Sequence, residues 1–375
     1  MYFDNKLRII ISVLMVSVLF SMNPKLTYAF SLTEINYGSG AIRSMTKCLD
    51  GSIVGGRSSG HEIEVWASVD NGANWSRRGT VASNQSIEYG DIMFLSIPGT
   101  NTVYCAFREY NSTKQYSVVV CKSNNNGQDW VYDSTIISGQ TQFVGAPWLF
   151  IANNGDMQCY YDSEPLASQN GNHGSQWIAM QGRNGTTGSW NKYGIVTASR
   201  DANAGKFVRD GMPSVVNLGN NRIMVVTEGI EENPTGGVYA NVVRAIQSFD
   251  GGYTWDYAGR RIVYQSGFHS DSGRRYNAYC PVAIRIGNGP VGVVFCTDEN
   301  FGGIPDPSHQ DVGSRRSHIK YIRTTTNFET WGELASIWTN GSSSYAPGMI
   351  ETSLNNVLIT IDHFGGNQRF YRMIP

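Results

Sequence analysis

Ser68-Val69-Asp70-Asn71-Gly72-Ala73-Asn74-Trp75 is followed by Ser123-Asn124-Asn125-Asn126-Gly127-Gln128-Asp129-Trp130 and by Ser248-Phe249-Asp250-Gly251-Gly252-Tyr253-Thr254-Trp255. All three read S-x-[DN]-x-G-x-x-W. An Asp or Asn at the third place bonds to backbone two residues on and closes a turn, and Gly supplies a positive φ. The Trp has a large apolar surface to bury beneath the resulting hairpin. Degraded copies at Arg183 to Trp190 and Thr324 to Trp331 bring Trp75, Trp130, Trp190, Trp255 and Trp331 to intervals of 55 to 76 residues. A hairpin turn recurring at that period marks a repeat architecture built of propeller blades.

Two apolar, strand-like runs stand ahead of each turn. They are 51–57 with 62–68, 102–109 with 116–123, and 156–162 with 176–181. The series continues with 222–228 and 241–248, 291–299 and 317–324, and 356–363 with 369–374. Nothing between them has helical periodicity, so the chain reads as an all-β, six-bladed β-propeller. The propeller is one domain over residues 30–375, and Ser31–Tyr37 is expected to close the ring as a strand of the last blade.

Residues 1–29 read as a signal peptide. Lys6 and Arg8 precede the apolar run Ile9–Phe20, and Thr27-Tyr28-Ala29 offers small residues for cleavage. The run is shorter than the ~20 apolar residues of a membrane span. The expectation is therefore a secreted, extracellular protein. The whole chain has a formal charge of −1. Removal of the leader takes away three positive charges and one negative, so the mature chain stays near neutral. No basic field exists for nucleic acid and no polybasic patch for a membrane.

By sequence position Cys105, Cys159 and Cys296 are expected to share one place in three blades, which suits a packed apolar position. Cys105 and Cys121 fall on neighbouring strands, and pairing between them stays open. No CxxC or HxxxH spacing and no D-x-[DN]-x-[DN]-G loop is present, so neither a metal nor a cofactor is expected. With few free sheet edges, a monomer is the default.

The ends of blade strands should line a central cavity. In chain order these ends carry Arg57, Arg108 and Glu109, Asp162 and Glu164, Glu228, Asp298 and Glu299, then Asp362 and His363. One such charge is an ordinary loop residue. Charges ending buried strands in six blades are costly unless they face a shared solvated pocket. The set is dominated by carboxylates, and no G-x-S-x-G elbow or consistent histidine pattern accompanies it. Paired carboxylates suit glycoside hydrolysis, where one protonates the leaving oxygen and the other attacks the anomeric carbon or activates water. Trp148, Tyr160, Tyr161, Tyr279 and Tyr345 adjoin the strand ends, where flat apolar faces could stack on sugar rings, although any one of them fits a core equally well.

Several phrases add up to a family resemblance. They are Gly145-Ala146-Pro147-Trp148-Leu149-Phe150, Gly155 through Glu164, Arg209-Asp210-Gly211-Met212-Pro213, Val225-Val226-Thr227-Glu228, Phe295-Cys296-Thr297-Asp298-Glu299 and Tyr345-Ala346-Pro347-Gly348. Together they resemble the exo-α-1,5-L-arabinanases of glycoside hydrolase family 93, and the turns resemble the Asp-box of sialidase-like propellers. The resemblance runs over essentially the whole mature chain. It implies a retaining enzyme that releases arabinobiose from the non-reducing end of plant cell-wall arabinan. It further implies Glu164 as nucleophile, Glu228 as general acid/base and Tyr345 as a partner of the nucleophile. Arg43, Arg57, Arg108, Asp162, Asp210 and Asp298 would be wall and subsite residues; Trp148 and Tyr279 are counted with them as sugar platforms on their place beside the strand ends. The stretch Pro165–Gly174 does not read as the helix-like insertion of that family, and Ile230–Gly237 also departs from it.

Two rivals come from the same residues. A sialidase would clamp a carboxylate with arginines drawn from Arg43, Arg209, Arg274 and Arg315, with Tyr345 and Glu228 as nucleophilic pair. Against it, Ala41-Ile42-Arg43-Ser44 lacks the aromatic-Arg-Ile-Pro phrase, and Glu164 would have no role. A non-catalytic carbohydrate-binding propeller predicts equivalent blade sites, whereas these strand ends differ from blade to blade.

Overall fold

In the computed structural model the described residues are 30–169, 174–196, 209–231, 240–268, 275–299, 318–325, 327–339, 344–363 and 367–375. Residues 1–29, read from sequence as a signal peptide, lie outside them. The described residues form six four-stranded antiparallel sheets. The first strands of the six sheets are Ile42–Lys47, Ile87–Ser96, Val144–Ile151, Gly211–Gly219, Ala278–Arg285 and Ser344–Ser353. Each touches the next, and the last touches the first, so they form a closed inner ring. The molecule is a six-bladed β-propeller.

The ring closes as expected. Ser31–Gly38 pairs antiparallel with Asn367–Ile374 and becomes the outermost strand of the sixth blade. The strong apolar runs of the sequence, however, are the second and third strands of each blade. The inner strands went unread because each is broken by a bulge. At Arg43, Asp91, Ala146, Met212, Cys280 and Ala346 the backbone takes φ between 42 and 53°. At each of these places the register with the second strand slips. A β-bulge re-aims the strand and interrupts the period-two pattern that a sequence reading depends on.

Apolar side chains fill the spaces between blades. One cluster joins blades two and three through Met93, Val120, Leu149 and Trp177, and another joins five and six through Val282, Tyr321, Ile359 and Met373. The turn phrases hold the outer hairpins to this core. The Ser68 hydroxyl accepts the Gly72 N–H at 2.8 Å and donates to Asp70, which accepts the Asn74 N–H at 2.8 Å. The bond from Asp thus spans four residues, not the two read from sequence. Trp75 donates its indole N–H to the Gly72 carbonyl at 3.1 Å, and the same set recurs around Trp130 and Trp255.

Two of these indoles pack across a blade boundary as well as over their own turn. Trp75 stacks on Phe370 of blade six at 5.4 Å, and Trp255 meets Tyr160 of blade three edge-on at 6.0 Å. Gly252 (φ 97°) sits so close that an added Cβ would fall 2.4 Å from the Tyr160 hydroxyl. Only glycine meets both the conformational and the spatial demand there.

Candidate active site

Each bulge defines one position on the second strand of its blade. Opposite the residue before the bulge stand Gly56, Arg108, Asp162, Glu228, Cys296 and Asp362 in blades one to six. These six share one level around the inner ring. Cys296 therefore does not share a place with Cys105 and Cys159, which lie three residues earlier along their strands; in the fifth blade that earlier place belongs to Val293. All six cysteines are buried free thiols, including Cys105 and Cys121, which face one another in register.

The bulges also supply hydrogen-bond donors. The Met212 N–H reaches Oδ1 of Asp162 at 3.0 Å, and the Cys280 N–H reaches Oε2 of Glu228 at 2.7 Å. In both cases a bulge of one blade bonds the carboxylate of the blade before it. Asp162 is 3% exposed, whereas Glu228 retains partial access to solvent. Burial pushes the Glu228 carboxyl above its usual value, opposed by the Cys280 N–H and by the positive charges of Arg43 and Arg209. Burial also pushes Asp162 well up, and the negative charges of Glu228 and Asp91 add to it.

Glu164 stands two residues after Asp162, directly follows the strand Met157–Ser163 and opens a short helix, Glu164–Gln169. The stretch Pro165–Gly174, which did not read as a helix-like insertion, thus begins in a helix as far as Gln169, and 170–173 lie outside the described residues. The Glu164 side chain accepts the Phe143 N–H at 3.2 Å and an Arg209 N–H at 2.9 Å. Arg209 is fixed in turn by Gln176 Oε1 at 2.9 Å, while Gln176 Nε2 donates to the Asp210 carbonyl at 2.9 Å. Arg209 thus bonds Glu164 directly and acts on Glu228 through its charge. Its part was not assigned from sequence except as one of the arginines a sialidase would need.

The remaining candidates divide. Arg43 occupies the first bulge, nearly buried, with Nη1 lacking a partner among the described residues, and its charge bears on both Asp162 and Glu228. Arg108 stands at the shared level and bonds Asp91 at 2.9 Å. Trp148, half-buried on the third inner strand, packs against three separate clusters and so borders the centre. Arg57 turns instead to Glu64 on its own sheet at 2.6 Å and lies over Trp66. Asp210 is buried against Arg244 at 2.7 Å. Asp298 is fully buried and accepts both the backbone and side-chain N–H groups of Asn277. Tyr279 is a core residue of the fifth and sixth blades. These four are built into the wall rather than laid on its surface. The side chains of Tyr345 and His363, together with Arg274 and Arg315, fall outside the described residues.

Cys280 and Gln176 complete the neighbourhood without having been singled out from sequence, Cys280 because a bulge accepts Arg, Asp, Ala, Met or Cys alike, and Gly211 joins them as a member of the Arg209–Pro213 phrase. Among the described residues no group of three or more His, Cys, Asp or Glu side chains is placed to hold a metal ion. On the opposite face, the degraded turn ending at Trp190 leaves a cavity of about 490 Å³ beside Lys122, Asp133 and Arg183.

No family model and no curated protein sequence matches the chain. Its fold is that of the sialidase-like propellers. The glycoside hydrolase family 93 α-L-arabinofuranosidase of Fusarium graminearum, solved with arabinobiose, superposes with a TM-score of 0.65 at 16% identity, over 90% of this chain and 97% of that one. The α-L-arabinanase of Penicillium chrysogenum, also with arabinobiose, gives 0.65 at 15% identity over 92% and 97%. The sialidase of Trypanosoma rangeli gives 0.60 at 14%, over 89% of this chain but 55% of its own.

Proposed function

We propose that this chain is a secreted, retaining, exo-acting glycoside hydrolase that cleaves α-1,5-L-arabinan from the non-reducing end and releases arabinobiose. The observation that carries the reading is that two differently housed glutamates on adjacent blades share one arginine, Arg209, which bonds Glu164 and bears on Glu228 through its charge. Glu228 is partly accessible, is held through one oxygen by the Cys280 N–H, and has its carboxyl raised by burial. Glu164 is oriented by Phe143 and Arg209. A raised carboxyl is what a general acid needs at neutral pH.

In the proposed cycle Glu228 gives its proton to the departing glycosidic oxygen while Glu164 bonds to the anomeric carbon. Water then attacks that carbon, Glu228 takes the water proton, and the bond to Glu164 breaks. Two displacements at one carbon retain its configuration. Arg43, Arg108 and Trp148 serve as wall residues in this reading, and Tyr345 as partner of the nucleophile. The fit to full-length neighbours solved with arabinobiose supports arabino-oligosaccharide as substrate over a sialoside.

The test is product release from linear debranched α-1,5-arabinan, with sialyllactose in parallel, by wild type and Glu228→Gln. Arabinobiose from the outset, lost in the variant, is the expected result. Free sialic acid would overturn it in favour of the sialidase. Retained glycan affinity without any product would favour a binding propeller.

A further inference from the structure

Arg209 and Asp210 lie where the chain enters blade four, and Gln176 of blade three holds them in three ways. Its backbone carbonyl accepts the Asp210 N–H at 3.0 Å. Its side-chain Nε2 donates to the Asp210 carbonyl at 2.9 Å, and its Oε1 accepts an Arg209 N–H at 2.9 Å. A guanidinium only donates and a carbonyl only accepts, so these partners fix the amide in one orientation. Gln176 is 5% exposed, and its Nε2 fills the space over Gly211, where a Cβ would fall 2.7 Å from it. Glycine at 211 is what admits the amide.

The other end of the Arg209 fork, Nη1, bonds Oε1 of Glu164 at 2.9 Å. Arg209 is thus tied on one side to a carboxylate and on the other to a neutral, nearly buried amide. Glu228 faces Arg43 from blade one, Asp162 from blade three, Arg209 from the entry to its own blade, and Cys280 with Cys296 from blade five. Of the two cations, Arg209 is the one that also bonds Glu164.

We propose that Gln176 is a positioning residue that keeps Arg209 as a fixed positive charge for both halves of the reaction, paired first with Glu164 and then facing ionised Glu228. This rests on the glycosidase reading and deepens it. Before the sugar is attached, Glu164 is the counter-ion of Arg209 and offsets its charge at Glu228, which holds the proton for the leaving oxygen. When Glu164 bonds to the anomeric carbon, its charge is lost and Arg209 has no counter-ion there. With 37% of its side chain exposed, Arg209 would then turn to solvent, and Gln176 keeps it in place. Its unopposed charge favours the carboxylate form of Glu228. That is the form that takes the proton as water bonds to the anomeric carbon and the electron pair of the breaking bond returns to Glu164.

The test uses the whole protein and 4-nitrophenyl α-1,5-L-arabinobioside, whose leaving group departs without an acid, so that only the second displacement depends on Glu228. Gln176→Met keeps the length and removes both side-chain bonds. Gln176→Glu keeps an acceptor for Arg209 but cancels its charge, and it decides alone if the first variant does not fold. In both, kcat should fall about tenfold or more while kcat/KM stays within about threefold, with a burst of nitrophenol before the steady state. Azide, which attacks the anomeric carbon without a base, should speed both variants and leave wild type unchanged. Equal losses of kcat and kcat/KM, with no burst and no response to azide, would overturn the proposal, because Gln176 would then only shape the site. Wild-type kinetics in Gln176→Glu would overturn it too, since the charge of Arg209 would not matter. A wild type silent on this glycoside would instead end the glycosidase reading, and the proposal with it.

Discussion

The two ends of each blade are built on opposite rules. At the outer hairpins, side chains make the structure: Ser, Asp or Asn, Gly and Trp each hold a set place, and three blades repeat them almost unchanged. At the inner bulges, backbone makes the structure, and six different environments result from one geometry. Arg, Asp, Ala, Met and Cys all adopt the same left-handed φ there. Where the fold needs particular side chains, chemistry is frozen into the repeat. Where the fold needs only a backbone shape, side chains are free to differ, and the asymmetric site can form.

The comparison predicts that damage at the two ends separates stability from turnover. The largest effect belongs to the inner end. Glu228→Gln keeps the shape and the Cys280 bond but removes the proton, so kcat on arabinan should fall by about 10² to 10⁴ with the melting temperature little changed. If turnover survives within tenfold, the acid is another group. Next comes Trp255→Ala at the outer end. It strips a buried indole from Tyr160 and should cost about 3–5 kcal/mol in denaturant unfolding, with kcat per folded molecule preserved. Arg244→Met belongs between the two ends. It leaves Asp210 buried without its ion-pair partner, an expected loss of about 3–5 kcal/mol. Because Asp210 backs Gly229, the residue after Glu228, turnover should fall together with stability.

The same division decided what could be read from the chain. The S-x-[DN]-x-G-x-x-W phrases and the apolar second and third strands gave away six blades, their order and the closing strand at Ser31–Gly38. Asp162 and Glu228 were legible as candidates because each follows an uninterrupted buried run, although the fourth blade's strand continues past Glu228 to Glu231. Their housing was not. Nothing in the letters Met212 or Cys280 announces a bulge, so the N–H groups they aim at Asp162 and Glu228 were invisible. Asp210 and Asp298 looked like pocket residues for the same reason as Asp162, but partners distant in sequence, Arg244 and Asn277, hold them inside the wall. Arg57 was misplaced by a nearer partner, Glu64, directly across its sheet.

The smallest expected effect compares the ends by their titration. Burial pushes Asp70 and Asp250 up, but hydrogen bonds from Asn74 and Thr254 outweigh it and leave both carboxyls below their usual value. Such a group stabilises the fold above its ordinary titration range, and that contribution is lost as pH falls through the lowered value. Asp162 is displaced the other way. Its contribution is complete below the ordinary range and is lost as pH rises, so at neutral pH its carboxyl weakens the fold. Asp162→Asn should therefore raise the neutral melting temperature and flatten its decline with pH. Asp70→Asn should lower stability near neutrality by under about 1 kcal/mol, since an amide keeps the acceptor and the site is exposed to screening. Blade two already carries Asn125 at that place, bonding the Asp129 N–H at 2.9 Å, and shows that the turn forms without the charge. Melting curves of both variants between acid and neutral pH should diverge in opposite directions. Parallel curves would mean that the inner carboxyl is as well solvated as the outer one, and the distinction between the two ends would lose its electrostatic half.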